Sequence, residues 1–230
     1  MADFTYADIA GMIDQALLAQ TLTDAELEAG LRVAREYGVA SVCIKPYAVP
    51  LAARILAGSA VRVGTVIGFP HGGHATRVKS AEAEAALDDG AVELDMVVNI
   101  GKVLSEDWGY VTEDIAAVVR AAHARGARVK VIFENCFLRD EHKVKLCSIC
   151  GEVRADWVKT STGYGDGGAL DADLILMRKH APPHVQVKAS GGVRSLDRVL
   201  AVRALGVTRV GASACQPILD EARKRLAAGG

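Results

Sequence analysis

Aromatic residues make up only 5% of the 230-residue chain, so a surface that stacks nucleic-acid bases is not expected. Net charge is nearly absent as well. The 27 Lys and Arg stand against 28 Asp and Glu, leaving a formal charge of -1. That excludes general affinity for a nucleic-acid backbone, and any anion site must be local. No stretch of about 20 apolar residues runs free of charge or glycine, so no membrane span is expected. The opening "MADFTYADIAGMID" has no basic segment leading into an apolar run, and no signal peptide is read there. The five cysteines are odd in number and lack framework spacing, which suits a reducing cytoplasm better than a disulfide scaffold.

Hydrophobic residues, by contrast, make up 50% of the chain, and 24% of it is charged, which supports a large core and excludes disorder. Short β-branched runs recur, each followed by a glycine or polar turn and then an alanine-rich stretch. Eight candidate strands are read: Gly11–Gln15, Ala40–Lys45, Val61–Phe69, Val92–Asn99, Arg128–Asn135, Asp156–Ser161, Val185–Ser190 and Thr208–Ser213. Between them lie helical patterns. "TDAELEAGLRVAREYG" opens with Thr23 and Glu26 at capping-box spacing and closes on Gly38. Another opens on Ser195 and closes on Gly206, while Gly90 and Gly126 close two more. Ile115, Val118, Val119 and Ala122 form one amphipathic face. Strand, helix, strand at this cadence requires parallel pairing through right-handed crossovers. Eight units with no linker-like stretch predict an α/β fold, a single-domain (β/α)8 TIM barrel over residues 1–230. An open doubly wound sheet is the alternative, weakened because no glycine fingerprint follows the first strand.

In such a barrel the chemistry gathers at the C-terminal ends of the strands. The residues read there include Asp14, Cys43, Lys45, Asp95, Asn99, Glu134, Lys159, Ser161, Lys188, Ser190 and Ser213. Side-chain alternation puts Glu93, Asp95, Val97 and Asn99 on one face, Lys130, Ile132 and Glu134 on another, and pairs Lys159 with Ser161 and Lys188 with Ser190. The charged parity therefore points into the lumen, and a pairing of Glu134 with Lys130 is expected there. A salt-bridge network that merely fills space is the bland alternative, disfavoured because buried charges cost several kcal/mol each unless paired.

Two lysines at matching points of successive strands suggest a specific chemistry. An amine with an ordinary pKa near 10.4 is protonated at neutral pH and does not attack carbonyls. Burial lowers that pKa, and a second cation lowers it further. Lys159 and Lys188 would be neighbours, one losing its proton to form a Schiff base, the other staying charged to tune it. Asp95 faces the same cavity and can stabilise the cation or move protons. The pKa argument alone leaves the lysines interchangeable; the hydroxyl run "TST" (residues 160–162, ending at Thr162) makes Lys159 the first choice. Gly163, Gly165, Gly167 and Gly168 follow the sixth strand, Gly191 and Gly192 the seventh, and "GAS" through Ser213 closes the eighth. Backbone amides freed by glycine, with a helix N-terminus, bind phosphate, and loops seven and eight are the usual place for it.

These segments resemble a known family. "VKTSTG" (158–163), "VKASGGVRS" (187–195), "VELDMVVNIG" (92–101), "GTVIGFP" (64–70) and "ASVCIKPYAVPLA" (40–52) are similar to deoxyribose-phosphate aldolases of the short bacterial type, from about Ile13 to Ser213. The resemblance implies a metal-free, cofactor-free class I aldolase on a TIM barrel, a homodimer, whose substrates are a small phosphosugar and aldehydes. It would cleave 2-deoxyribose 5-phosphate to acetaldehyde and glyceraldehyde 3-phosphate. Lys159 is then the Schiff-base lysine, Lys188 the tuning lysine and Asp95 the proton-transfer carboxylate. Asp14, Cys43 and Thr162 line the substrate site, and Gly163, Gly191, Gly192 and Ser213 hold the phosphate. Departures from the family pattern are Gln15 and Ala16 in "IDQALL", where histidine and threonine are usual, Lys45 as a third cation at the mouth, His71 and His74, and a tail "KRLAAGG" without tyrosine. A different phosphosugar, or a barrel that binds phosphosugar without catalysis, are the competing readings.

The remaining motifs have plain explanations. His71 and His74 lack the further ligand that a zinc site needs. "CSIC" (147–150) falls in a helical stretch, where its two cysteines share a buried face rather than form a redox pair. Cys43 is read as packing beside the pocket, and Trp108 and Trp157 as packing residues.

Overall fold

The computed structural model describes residues 4–228; Met1–Asp3 and Gly229–Gly230, parts of the opening stretch and tail read above, lie outside it. Eight parallel strands pair in chain order and close into a barrel, the last against the first. They are β1 (Ile13–Leu17), β2 (Ser41–Ile44), β3 (Arg62–Ile67), β4 (Glu93–Val97), β5 (Arg128–Ile132), β6 (Trp157–Lys159), β7 (Gln186–Ser190) and β8 (Arg209–Ala212). Helix α1 (Tyr6–Ala10) precedes the barrel. Each strand is then followed by helix: α2 (Asp24–Tyr37), α3 (Val49–Leu56), α4 (Thr76–Asp88), the pair α5 (Ile100–Leu104) and α6 (Trp108–His123), α7 (Asp140–Glu152), α8 (Asp171–His180), α9 (Leu196–Ala204) and α10 (Cys215–Ala228). The open-sheet alternative is thereby excluded.

The predicted caps form. The Thr23 hydroxyl accepts from the Glu26 amide while the Glu26 carboxylate takes the Thr23 amide, and Gly38 ends α2 in the left-handed region at φ 63°. Ser195 caps α9 through the Arg198 amide. Cys147 and Cys150 are both fully buried on α7.

Strand ends differ from the sequence expectation where loops intervene. The first strand is shifted two residues onward, because Thr5 and Asp8 form a capping box that makes Tyr6–Ala10 a helix ending on Gly11. The fourth stops at Val97, since the Asn99 side chain caps α5 by accepting from the Lys102 amide. The fifth stops at Ile132, because Glu134 adopts a left-handed φ of 56° and starts a 3-10 turn over Asn135–Phe137.

Alternation sorts the strands into two compartments. Ile13, Leu17, Val42, Ile44, Leu94, Met96, Val129, Val131, Val158, Val187 and Val210 face the helices and belong to one continuous apolar core. The opposite parity faces the lumen and carries Asp14, Glu93, Asp95, Lys130, Lys159, Lys188 and Arg209, every one of them buried. Trp157 lies beneath them, with Lys130 Nζ at 5.6 Å and the Arg209 guanidinium at 5.3 Å from its ring centre.

Candidate active site

The register places Lys159 beside Lys188 and Asp95 beside Lys130. Asp95 is the hub. Its Oδ2 accepts from both Lys159 Nζ and Lys188 Nζ at 2.7 Å, and its Oδ1 accepts from Lys130 Nζ at 2.8 Å. Lys188 also pairs with Asp14 Oδ2 at 2.6 Å, and Arg209 Nε donates to Asp14 Oδ1 at 2.8 Å. Glu93 Oε2 completes the network, accepting from Lys130 at 2.6 Å and Arg209 at 2.5 Å. The expected pairing of Lys130 with Glu134 is not formed. Glu134 has left the strand, and its carboxylate instead accepts from the Thr162 amide at 3.1 Å and from the Thr162 hydroxyl.

Four buried cations, Lys130, Lys159, Lys188 and Arg209, thus meet three carboxylates, Asp14, Glu93 and Asp95, while the solvent-exposed Arg62 reaches the other Glu93 oxygen at 3.8 Å. Fully ionised, this buried set holds one positive charge too many, and burial weakens the screening of that surplus. The cheapest relief is for one lysine to give up its proton. Burial drives Lys159 below its ordinary 10.5, and neighbouring Lys188 adds to the push against the pull of Asp95. Burial pushes Lys188 down too, but Asp14 and Asp95 outweigh it and hold the ammonium above its ordinary value. Lys130 is likewise held up by Asp95, Asp14 and Glu93 against burial. Asp95, despite burial, is kept well below the usual carboxylate range by Lys130, Lys159 and Lys188.

A cavity of about 490 Å³ opens over this cluster at the C-terminal ends of the strands. Of the ten residues given catalytic or substrate-binding roles by the resemblance, nine line it, namely Asp14, Cys43, Lys159, Thr162, Gly163, Lys188, Gly191, Gly192 and Ser213; Asp95 lies beneath them, holding both lysines. Both Asp14 oxygens are engaged by cations. Burial pushes the Cys43 thiol up to about 11, so it stays protonated. The glycine end is built by close approach of two loops. Gly191 sits at φ 85° where an added Cβ would lie 2.8 Å from the Gly168 Cα, and Gly192 follows at φ 81°.

Sequence reasoning missed part of the wall. Leu18, Ala19 and Leu22, between β1 and α2, line the cavity, as do Tyr164 and Arg194. Starting the first strand two residues late would have exposed that loop as a strand-end segment. Tyr164 reaches across the mouth, its hydroxyl donating to the Leu18 carbonyl at 2.7 Å and its ring meeting Phe69 edge-on at 5.4 Å. Ser190 shares the lumen parity of Lys188, lines the cavity, and keeps its Oγ buried without a partner. Lys45 is not a free cation at the mouth: its ammonium is taken by the carbonyls of Ala19 and Leu22 at 3.2 and 3.0 Å. His71 and His74 are exposed in the loop after β3.

A closed (β/α)8 barrel whose lumen carries such a lysine pair below two close-packed glycine loops has the makings of a carbon–carbon lyase. Comparison with known proteins agrees. The model of the DeoC/LacD family of aldolases matches residues 9–214. A deoxyribose-phosphate aldolase of Rhodopirellula baltica is 57% identical over 98% of this chain and 94% of its own. Another, from Thermococcus kodakarensis, is 47% identical over 94% and 97%. A solved structure described as a unique tetrameric deoxyribose phosphate aldolase from Aeropyrum pernix superposes with a TM-score of 0.88 at 31% identity, covering 96% of this chain and 93% of that one. The chain belongs to the DeoC/LacD aldolase family.

Proposed function

We propose that this protein is a class I aldolase that reversibly cleaves 2-deoxy-D-ribose 5-phosphate to acetaldehyde and D-glyceraldehyde 3-phosphate. One observation carries the reading: Lys159 and Lys188 bond the same oxygen of Asp95, yet one lysine is driven down and the other held up. A pair split in this way supplies a free amine and a resident ammonium side by side. The chain's likeness to deoxyribose-phosphate aldolases supports the substrate.

Lys159 Nζ adds to the C1 carbonyl of the open-chain sugar, and the carbinolamine loses water to leave a cationic imine. The C3 hydroxyl then gives up its proton as the C2–C3 bond breaks. The electron pair of that bond moves toward the iminium, giving an enamine, and C3 departs as the aldehyde carbon of glyceraldehyde 3-phosphate. Protonation at C2 and addition of water release acetaldehyde and return the amine. Asp95, kept ionised by three lysines, passes protons on rather than retaining them. Lys188 keeps its charge beside the imine, and Asp14 acts through Lys188 and Arg209. Thr162 and Cys43 wall the reacting carbons. Gly163, Gly191, Gly192 and Ser213, with the exposed Arg194, form the phosphate end. The reading places the enzyme in the cytoplasm as a homodimer; five free cysteines suit a reducing compartment, and light scattering checks the assembly.

Borohydride reduction in the presence of acetaldehyde tests the mechanism. It is expected to leave one ethyl group on Lys159 and to inactivate the enzyme. Ethylation at Lys188 would exchange the two roles. No adduct and no acetaldehyde release from the phosphosugar would leave a barrel that binds without catalysis.

A further inference from the structure

Two polar residues, Gln15 and Thr65, interrupt the aliphatic face that the described strands turn toward the helices. Thr65 is accounted for by a bond from its hydroxyl to the Ile44 carbonyl at 2.7 Å, inside the sheet. Gln15 does something else. It is 5% exposed and its carboxamide is engaged at both ends. Nε2 donates to the Ser213 carbonyl at 3.2 Å, and Oε1 accepts from the Cys215 amide at 3.1 Å. Those two groups flank the turn from β8 into α10, so a side chain of the first strand fastens the turn after the last one. Gly211 and Ser213 of that segment line the cavity.

We propose that Gln15 is a positioning residue for the phosphate end of the site. It sets the Ser213 backbone and the start of α10 in the arrangement that receives the substrate's phosphate; this rests on the phosphosugar reading above. The chemistry requires a carboxamide, because one partner needs a donor and the other an acceptor. A carboxylate accepts at both ends, so it sets an oxygen against the Ser213 carbonyl and brings negative charge to an anion site. An aliphatic side chain leaves the buried Cys215 amide and the part-buried Ser213 carbonyl without this partner. Since Gln15 occupies the Cys215 amide, the phosphate is left to Ser213 and the glycine loops.

Gln15→Glu and Gln15→Leu test this, with melting temperature recorded for both. Steady-state rates are measured on 2-deoxyribose 5-phosphate and on unphosphorylated 2-deoxyribose, with inorganic phosphate as a competitive inhibitor. The expected result is a KM for the phosphosugar raised about tenfold, a weaker phosphate inhibition constant by a similar factor, and kcat within about twofold. The penalty on the unphosphorylated sugar stays within about twofold. Gln15→Glu is the more severe on phosphate inhibition, since it adds like charge. Equal losses on both sugars, or unchanged KM and phosphate inhibition, overturn the assignment of Gln15. If the unsubstituted enzyme itself fails to prefer the phosphosugar, the phosphate-end reading falls and the role of Gln15 falls with it.

Discussion

Among the described residues, both a helix interface and the barrel lumen bury lysine, and they do opposite things. Between α4 and α6, Lys79 pairs with Asp114 at 2.5 Å and donates to the Val97 carbonyl at 2.9 Å, while the Thr76 hydroxyl serves the other Asp114 oxygen at 2.9 Å. One cation meets one anion, and neutral groups bond what remains. In the lumen Lys159 has one oxygen of Asp95, and shares it with Lys188. Both lysines are buried, so burial alone does not make a nucleophile. What separates them is the count of charges: balanced at Lys79, one cation in excess around Lys159. A cavity stands over the second, while Lys79 is fully buried.

The comparison breaks most sharply under the same substitution at both sites. Lys159→Met is expected to remove at least about 10⁴-fold of aldol cleavage, because no other amine sits free at that point. Its melting temperature should stay within a few degrees, since the change takes away the surplus cation. Lys79→Met should do the reverse. It strands the buried Asp114 carboxylate, a loss of about 3–5 kcal/mol, lowering the melting point by roughly 10 °C, with kcat/KM of the folded enzyme within about twofold. Calorimetry and an acetaldehyde-release assay read both. If Lys159→Met were the more destabilising, the surplus-charge argument would be wrong.

The charge count also sets the direction of a pH effect. Lys159 lies below 10.5, first through burial and then through Lys188, so imine formation rises with pH through that lowered value. Lys188→Met removes the cation and frees Asp95 to pull harder on Lys159. Its pKa then climbs, and the rising limb of the profile moves to higher pH. At neutral pH the loss is expected to be about 100-fold, shrinking as pH rises. A limb that stays where it was would mean that Lys188 acts by contact and not by charge.

The same contrast explains what is legible in the sequence. Charges on one parity of β-branched strands are a strong signal, because a barrel has one place to put them; that signal located Asp95, Lys130, Lys159 and Lys188 together. Which carboxylate each cation finds was less legible. Lys130 and Glu134 share a parity on paper, but a left-handed turn at Glu134 carries it out of the strand to Thr162. Backbone conformation of that kind leaves no periodic trace when the residue is not glycine. Lys45 and Gln15 were visible as oddities of type, yet their partners lie in other loops. Lys45 meets carbonyls 23 and 26 residues away, and the Gln15 amide bonds Ser213 across 198 residues. Closure of the barrel, not local pattern, brings those groups together.

The smallest effect is expected at the mouth, where the lumen meets the loops. The Tyr164 hydroxyl donates to the Leu18 carbonyl, tying the loop after β6 to the loop after β1 over the cavity. Lys45 holds the same loop two ways, at Ala19 and Leu22, so the wall does not depend on the tyrosine alone. Tyr164→Phe keeps the ring against Phe69 and deletes one half-exposed hydrogen bond, about 1 kcal/mol. The substrate then meets a looser wall: KM should rise about three- to fivefold, with kcat and the pH profile unchanged. Tyr164→Phe combined with Lys45→Met should exceed the sum of the two single effects, because each bond limits the motion the other would release. Additive losses would show that the loop holds its shape without either anchor, and that the mouth, unlike the lumen, contributes shape but no charge to the reaction.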